Sequence, residues 1–100
     1  MPRITFDVSH SLGLEEATRR LKEKLAAALS EHQGRISDVR EEWRDNTLCF
    51  AMKAMGLGVS GTVAVEPAQV KLNAELPFAA AFFKGMIEER LRHEVGTLLT

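Results

Sequence analysis

Alternation of apolar and polar residues is the strongest pattern in the sequence, and it predicts β-strands. In residues 47–53, Leu48, Phe50 and Met52 fall on one side of an extended chain, while smaller or polar residues fall on the other. A period of two is typical of a strand with one buried face. Three further segments follow the same rule: residues 3–8, 59–65 and 70–76. Residues 36–44 are also interpreted as a strand, although one carboxylate interrupts their alternation. The four segments between residues 36 and 76 are joined by short, turn-forming connections, which predict an antiparallel meander.

Two segments have helical spacing instead. The first is expected to open near Gly13 and end at Gly34, with one apolar stripe of Leu14, Ala17, Leu21, Leu25, Ala28 and Leu29. The second is expected to begin at Pro77, since proline suits the first position of a helix. Its apolar stripe consists of Phe83, Ile87, Leu91, Val95 and Leu98. We expect this helix to cross the strand of residues 59–65 at Gly61, where a missing side chain permits close approach.

Residues 36–44 are predicted to form an edge strand. Glu41 shares parity with Trp43, which places a carboxylate on the face that the tryptophan would otherwise bury. An inward charge on an edge strand discourages pairing with another chain. The predicted order is β-α-β-β-β-β-α, an α+β fold with a curved antiparallel sheet and two helices packed on one face. This architecture resembles a reduced helix-grip, an analogy that does not assign a function.

Composition narrows the possible functions. One hundred residues are expected to form a single domain, residues 1–100, with one hydrophobic core. A formal net charge of −1, with both signs interspersed, gives no field for nucleic acid. The sequence shows neither a charged-then-apolar leader nor a long apolar run, and a cytoplasmic protein is expected. The three histidines and one cysteine lack the spacing of a zinc site, so no metal or cofactor is expected.

Few polar residues suggest chemistry. His10 lies between two serines at the end of the first predicted strand, and could act as a base with Asp45 or Glu41. Neighbours on a turn rarely face one another, so a turn hydrogen bond is the favoured interpretation of His10. Asp45 is expected to hold a turn and Trp43 to close the edge of the core, with ligand gating by this pair as the alternative.

An apolar pocket between the sheet and the last helix is a second candidate site. Its lining would consist of Trp43, Phe50, Met52, Phe78, Phe82 and Met86. A chain of this length needs such residues for its only core. We therefore expect ordinary core packing to take precedence over a ligand pocket.

Several short motifs together resemble one protein family. They are Ile4-x-Phe6-x-Val8-x-His10-x-Leu12, Trp43-x-Asp45-x-x-Leu48-x-Phe50, Gly61-x-Val63-x-Val65, and Leu76-Pro77 followed by Phe83-Lys84-Gly85-x-Ile87-Glu88. The pattern resembles the polyhydroxyalkanoic acid system protein family over nearly the whole chain. The resemblance implies a small bacterial cytoplasmic protein linked, largely by genetic context, to storage polyester granules. It brings no established activity and no catalytic residues.

Three functions therefore remain open at the level of sequence. The resemblance favours a non-catalytic accessory or binding protein, whose partner would be acyl chains, the granule surface or a granule-associated protein. A second possibility is a homodimer or larger homo-oligomer, formed through the small, weakly polar outer side of Thr47, Cys49 and Ala51. The third is a small hydrolase or isomerase that uses His10.

Overall fold

A five-stranded antiparallel sheet and two helices make up the protein. The computed structural model describes residues 2–31, 34–54 and 56–99. In chain order the elements are β1 (Arg3–Ser9), α1 (Leu14–Glu31), β2 (Ile36–Arg44), β3 (Thr47–Ala54), β4 (Leu57–Val65), β5 (Gln69–Glu75), a 3-10 segment (Phe78–Phe83) and α2 (Lys84–Leu98). The predicted α+β class and the order β-α-β-β-β-β-α are confirmed.

The sheet is an open meander with the first strand added beside the last. Its strand order is β1-β5-β4-β3-β2, so β1 and β2 are the two edges. The register of β1 against β5 runs from Arg3 opposite Glu75 to Ser9 opposite Gln69. Arg3 also donates to the carboxylate of Glu75 over 2.6 Å. Both side chains are exposed, so this ion pair contributes little to stability.

The core lies between the helices and one face of the sheet, here called the inner face. The alternating strand residues supply most of it, as their spacing predicts. The buried apolar residues are Ile4, Phe6, Ala17, Leu21, Leu48, Val63, Val65, Val70, Leu72, Ala74, Leu76, Ala80, Val95 and Leu99. Ile4 and Val70 are completely inaccessible to solvent, at 0 % exposure. The inner face of β1, β5 and β4 is therefore the centre of the fold.

Helix α1 follows the first four positions of its predicted stripe and ends at Glu31, before the predicted Gly34. Ala17 and Leu21 are buried, and Leu14 and Leu25 pack against the core. The side chains of Ala28 and Leu29 lie outside the described part of the chain. The opposite side carries charge: Glu16 accepts hydrogen bonds from Arg19 and Arg20. The hydrogen bond from Arg19 is the largest cause that lowers the pKa of Glu16 to about 2. The Arg19 contact is exposed and the Arg20 contact is part-buried, and both support the helix rather than form a site.

The start of the last helix differs from the prediction. Helix α2 begins at Lys84, and residues Phe78–Phe83 form a 3-10 segment after Pro77. The N–H of Ala80 donates to the carbonyl of Pro77 over 2.9 Å, and Ala80 is buried. A 3-10 segment has three residues per turn. The apolar stripe of α2 therefore does not continue through it, and Phe83, placed in that stripe by its spacing, is 52 % exposed.

The close approach expected at Gly61 exists, but its partner is different. A Cβ atom on Gly61 would lie 2.1 Å from the carbonyl oxygen of Asn73 and 2.8 Å from the Cα of Ala74. Both atoms belong to the backbone of β5, so the expectation that the last helix crosses there is wrong. Helix α2 instead makes most of its sheet contacts with β1. The guanidinium of Arg92 lies over the ring of Phe6, 5.3 Å from its centroid.

Strand β2 has the features of a protected edge, as predicted. A β-bulge between Ser37 and Arg40 interrupts its pairing with β3, and Asp38 within the bulge has a φ of +52°. Glu41 lies opposite Phe50 and so shares the inner face with it. Both the bulge and the inward carboxylate hinder the addition of a further strand at this edge.

Candidate functional site

His10 joins two turns at one end of the sheet. Its Nε2 lies 2.9 Å from the carbonyl oxygen of Glu66, and its Nδ1 accepts a hydrogen bond from the N–H of Leu12 over 3.2 Å. The backbone N–H of His10 donates to the carbonyl of Ala68 over 2.9 Å. A carbonyl can only accept and Nδ1 accepts from Leu12, so these two contacts correspond to the tautomer with the proton on Nε2. Both nitrogens are therefore engaged by backbone atoms, in the structural role that the sequence favours.

Replacement of His10 by alanine is expected to lower the free energy of unfolding by about 1–2 kcal/mol, because the N–H of Leu12 and the carbonyl of Glu66 lose their partners in a half-buried place. His10→Asn is the matched control, since an amide oxygen can replace Nδ1 as the acceptor. Urea unfolding followed by circular dichroism measures both variants. Equal stability of wild type and His10→Ala would contradict the structural role.

Asp45 and Trp43 occupy the end of the β2–β3 hairpin. Asp45 lies in its two-residue turn with a φ of +53°, a conformation that aspartate tolerates better than most residues. Trp43 is half-buried against the core, and the ammonium of Lys22 lies over its ring, 5.0 Å from the centroid. The hydrogen-bond partners of the His10 ring are backbone atoms rather than Asp45 or Glu41.

The six residues of the predicted apolar pocket fall into two groups. Trp43, Phe50 and Met52 lie on the inner face of β2 and β3 and are half-buried. Phe78, Phe82 and Met86 are 76 %, 98 % and 66 % exposed. A ring that is 98 % exposed lines no enclosed space, so the structure does not form a closed pocket from all six. The physical reason is the 3-10 segment, which turns its phenyl rings outward while Ala80 faces the core.

Met52 instead borders an open hollow beside the β2 bulge. The hollow has a volume of about 610 Å³ and is lined by Asp38, Val39, Arg40, Ala51, Met52, Lys53, Gly58, Val59 and Ser60. Its lining mixes both faces of the sheet and includes charged side chains. It is a surface depression, and its walls do not converge on a single ligand group.

The most distinctive surface is an aromatic patch, defined as Phe78, Phe82, Phe83 and Met86. Among the side chains that the structure describes, the large apolar ones that are exposed are these four and Val39. Together the four side chains expose on the order of 500 Å². The four lie within nine residues of the chain, and exposed apolar area concentrated in this way often marks a contact surface. The sequence contains the residues of the patch, but their helical spacing predicts a buried position for them.

The outer face of the sheet is a second open surface. Thr47, Cys49 and Ala51 lie on it, on the side of β3 away from the core. In the described parts of the chain, no helix covers this face. Cys49 is a free, half-buried thiol. Its cross-strand neighbours are Glu42 on β2 and the short Thr62 on β4.

The described residues also bear on metal binding and on membrane spanning. Among the residues that the structure describes, no three His, Cys, Asp or Glu side chains lie together as ligands of a metal ion. None of the helices in those same residues has the length and apolar character that crossing a bilayer requires.

The fold and the site define a small α+β protein with an open antiparallel sheet, whose most prominent surface feature is an apolar patch. The chain belongs to the family described as "Putative polyhydroxyalkanoic acid system protein", whose profile matches residues 4–99. The resemblance seen in the sequence motifs is thereby confirmed.

Among solved structures, the crystal structure of TTHA0849 from Thermus thermophilus is similar to this chain. The two are 14 % identical, with a TM-score of 0.43, over 98 % of this chain and 92 % of that chain. Curated protein sequences give no match.

Proposed function

We propose that this protein is a non-catalytic accessory protein of the polyhydroxyalkanoate storage system, which binds the polyester granule in the bacterial cytoplasm through apolar side chains. Membership of the family supports the system. The observation that carries the mode of action is the aromatic patch, since four large apolar side chains remain in solvent within nine consecutive residues. Leaving them uncovered is unfavourable in water, and contact with an apolar phase would remove that cost.

The proposal of a non-catalytic role draws support from the polar candidates. Both ring nitrogens of His10 contact backbone groups. To accept a proton from a substrate, the ring would first have to break one of these hydrogen bonds. Asp45 lies in a hairpin turn and is exposed. Neither residue is held in the nucleophile, base and orienting-group arrangement that covalent or acid-base catalysis requires.

Purified protein mixed with protein-free polyhydroxyalkanoate granules should float or pellet with the granules at micromolar concentration. Apolar contacts are not screened by salt, so the bound fraction should survive a wash with 1 M salt, roughly ten times the ionic strength at which the Debye length is about 10 Å. Release of free hydroxy acid from the same granules should not exceed that of a protein-free control. Failure to bind, or steady release of hydroxy acid, would contradict the proposal.

A homodimer formed through the outer face is the second candidate. It is favoured by the short side chains of Thr47, Cys49 and Ala51 on a sheet face that no described helix covers. Light scattering at micromolar concentration should then give twice the mass of the chain, and Cys49→Arg should restore the monomer by placing a charge in the interface. A wild-type protein that is strictly monomeric would eliminate this candidate.

A further inference from the structure

We infer that the aromatic patch is an insertion surface for amorphous aliphatic polyester, and that its side chains enter the polymer directly. The inference rests on the proposed function, because it names the partner of the same apolar side chains. It assigns a site, Phe78, Phe82, Phe83 and Met86, and a ligand class, an uncharged polyester surface.

The patch is held firmly although its side chains are free. Ala80 is 3 % exposed and anchors the 3-10 segment in the core. Its N–H bonds to the carbonyl of Pro77, and the N–H of Lys84 bonds to the carbonyl of Ala81. Phe78 and Phe82 therefore project from a fixed backbone. A preorganised anchor of this kind loses little conformational entropy when it binds.

The exposure of the rings favours a soft partner over a second copy of the chain. Phe82 is 98 % exposed and stands clear of its own protein, so a rigid partner would need a matching cavity. The patch exposes on the order of 500 Å², whereas a stable protein interface needs about 800 Å² from each partner. An amorphous polymer deforms around single side chains and needs no preformed cavity.

The charge around the patch favours a neutral polyester over an anionic lipid surface. Lys84 lies next to the patch, and Arg90 lies one turn after Met86, where it is paired with Glu94 over 3.1 Å. Glu88 and Glu89 lie between these two cations. Recognition of anionic lipid headgroups relies on clusters of lysine and arginine. Between residues 84 and 94, three Lys or Arg residues are balanced by three glutamates, and the whole chain has a formal net charge of −1.

Binding to poly(3-hydroxybutyrate) particles should therefore depend on the patch. Phe82→Ala is expected to weaken the particle partition coefficient at least about tenfold, because tenfold corresponds to only about 55 Å² of apolar area at about 25 cal/mol per Å². The double variant Phe78→Ala/Phe82→Ala should bind more weakly still. Val39→Ala is the matched control: it removes an exposed apolar side chain outside the patch. Circular dichroism should show the same thermal midpoint for Phe82→Ala and wild type, which separates lost binding from lost folding.

The outcomes separate this inference from the proposed function. Wild-type protein that binds the particles, with the double variant equally bound, would overturn the inference and the patch as the mode of action, and would leave standing the proposal of a granule-binding accessory protein. No binding of wild-type protein to the particles would overturn both. Tighter binding to phosphatidylglycerol vesicles than to the particles, or a patch-dependent dimer in light scattering, would overturn the assignment of polyester as the partner.

Discussion

Gly61→Ala should destabilise the protein by about 3 kcal/mol. The Cβ of an alanine would lie 2.1 Å from the carbonyl oxygen of Asn73, far inside van der Waals contact. The obstructing atoms belong to the backbone of β5 and are not the end of a flexible side chain. Relief would therefore require β4 and β5 to move apart, at a point where Gly61 lies opposite Ala74 in the ladder. Such a loss is a large part of the total stability of a domain this size.

Gly58→Ala in the same strand is the matched control. A Cβ at Gly58 would meet no atom within 4 Å, and its backbone is not in the left-handed region. Alanine there should change stability by no more than about 0.5 kcal/mol, with a small gain expected from the lower entropy of the unfolded chain. Urea unfolding of both variants provides the comparison. Similar stabilities for the two variants would show that the contact at Gly61 relaxes without cost.

Phe6→Ala should cost about 4 kcal/mol, whereas the same substitution at Phe82 should change stability by no more than about 0.5 kcal/mol. Phe6 is 5 % exposed on the inner face of β1, beneath Arg92. Its removal would leave a cavity between β1 and α2 and would also remove the ring over which the guanidinium of Arg92 lies. Phe82 is 98 % exposed, so its ring contributes almost nothing to the folded state.

This pair holds the chemistry constant and varies only the place of the ring. Thermal and urea unfolding of the two variants, measured side by side, test whether the exposed ring of Phe82 contributes to the stability of the fold. Equal destabilisation by the two substitutions would show that Phe82 packs in solution, and the aromatic patch would then not exist as described. We expect the free energy of unfolding to be unchanged in Phe82→Ala and strongly reduced in Phe6→Ala.

The strands could be predicted from sequence because large apolar residues at every second position are typical of a strand with one buried face. Ile4, Phe6, Val70 and Leu72 all alternate cleanly with polar residues, and all four are buried. The edge position of β2 was also predictable, since Glu41 has no place on the covered face of a central strand. Short connections then left antiparallel pairing as the simple arrangement. The pairing of β1 with β5 is long-range and was not specified by any local signal.

The winding after Pro77 departs from the sequence prediction for a physical reason. Pro77 suits the first turn of an α-helix and a 3-10 turn equally well, because both need the same φ. Phe83 and Ile87 have a helical spacing of four, which holds only if α-helical winding extends across Phe83. The 3-10 segment ends at Phe83. The directions of its side chains follow from the burial of Ala80 and not from the apolar stripe of α2. No residue type in the sequence distinguishes these two windings.

The candidate site shows the same division between local and long-range information. The turn role of His10 was predictable from its neighbours, but its partners, Glu66 and Leu12, could not be named. Gly61 was recognised as a point of close approach, while the approaching element was wrong. In both cases the residue type indicates a close contact, but it does not identify the element or residue that makes the contact.

The guarded edge of β2 gains importance if many copies of the chain crowd together on one granule. Proteins concentrated on a surface meet their neighbours side by side, the arrangement in which unpaired strands zip into fibrils. The kink at Asp38 and the carboxylate of Glu41 make β2 a poor template for that reaction. A dense coat of such molecules would therefore not be joined through its β2 edges.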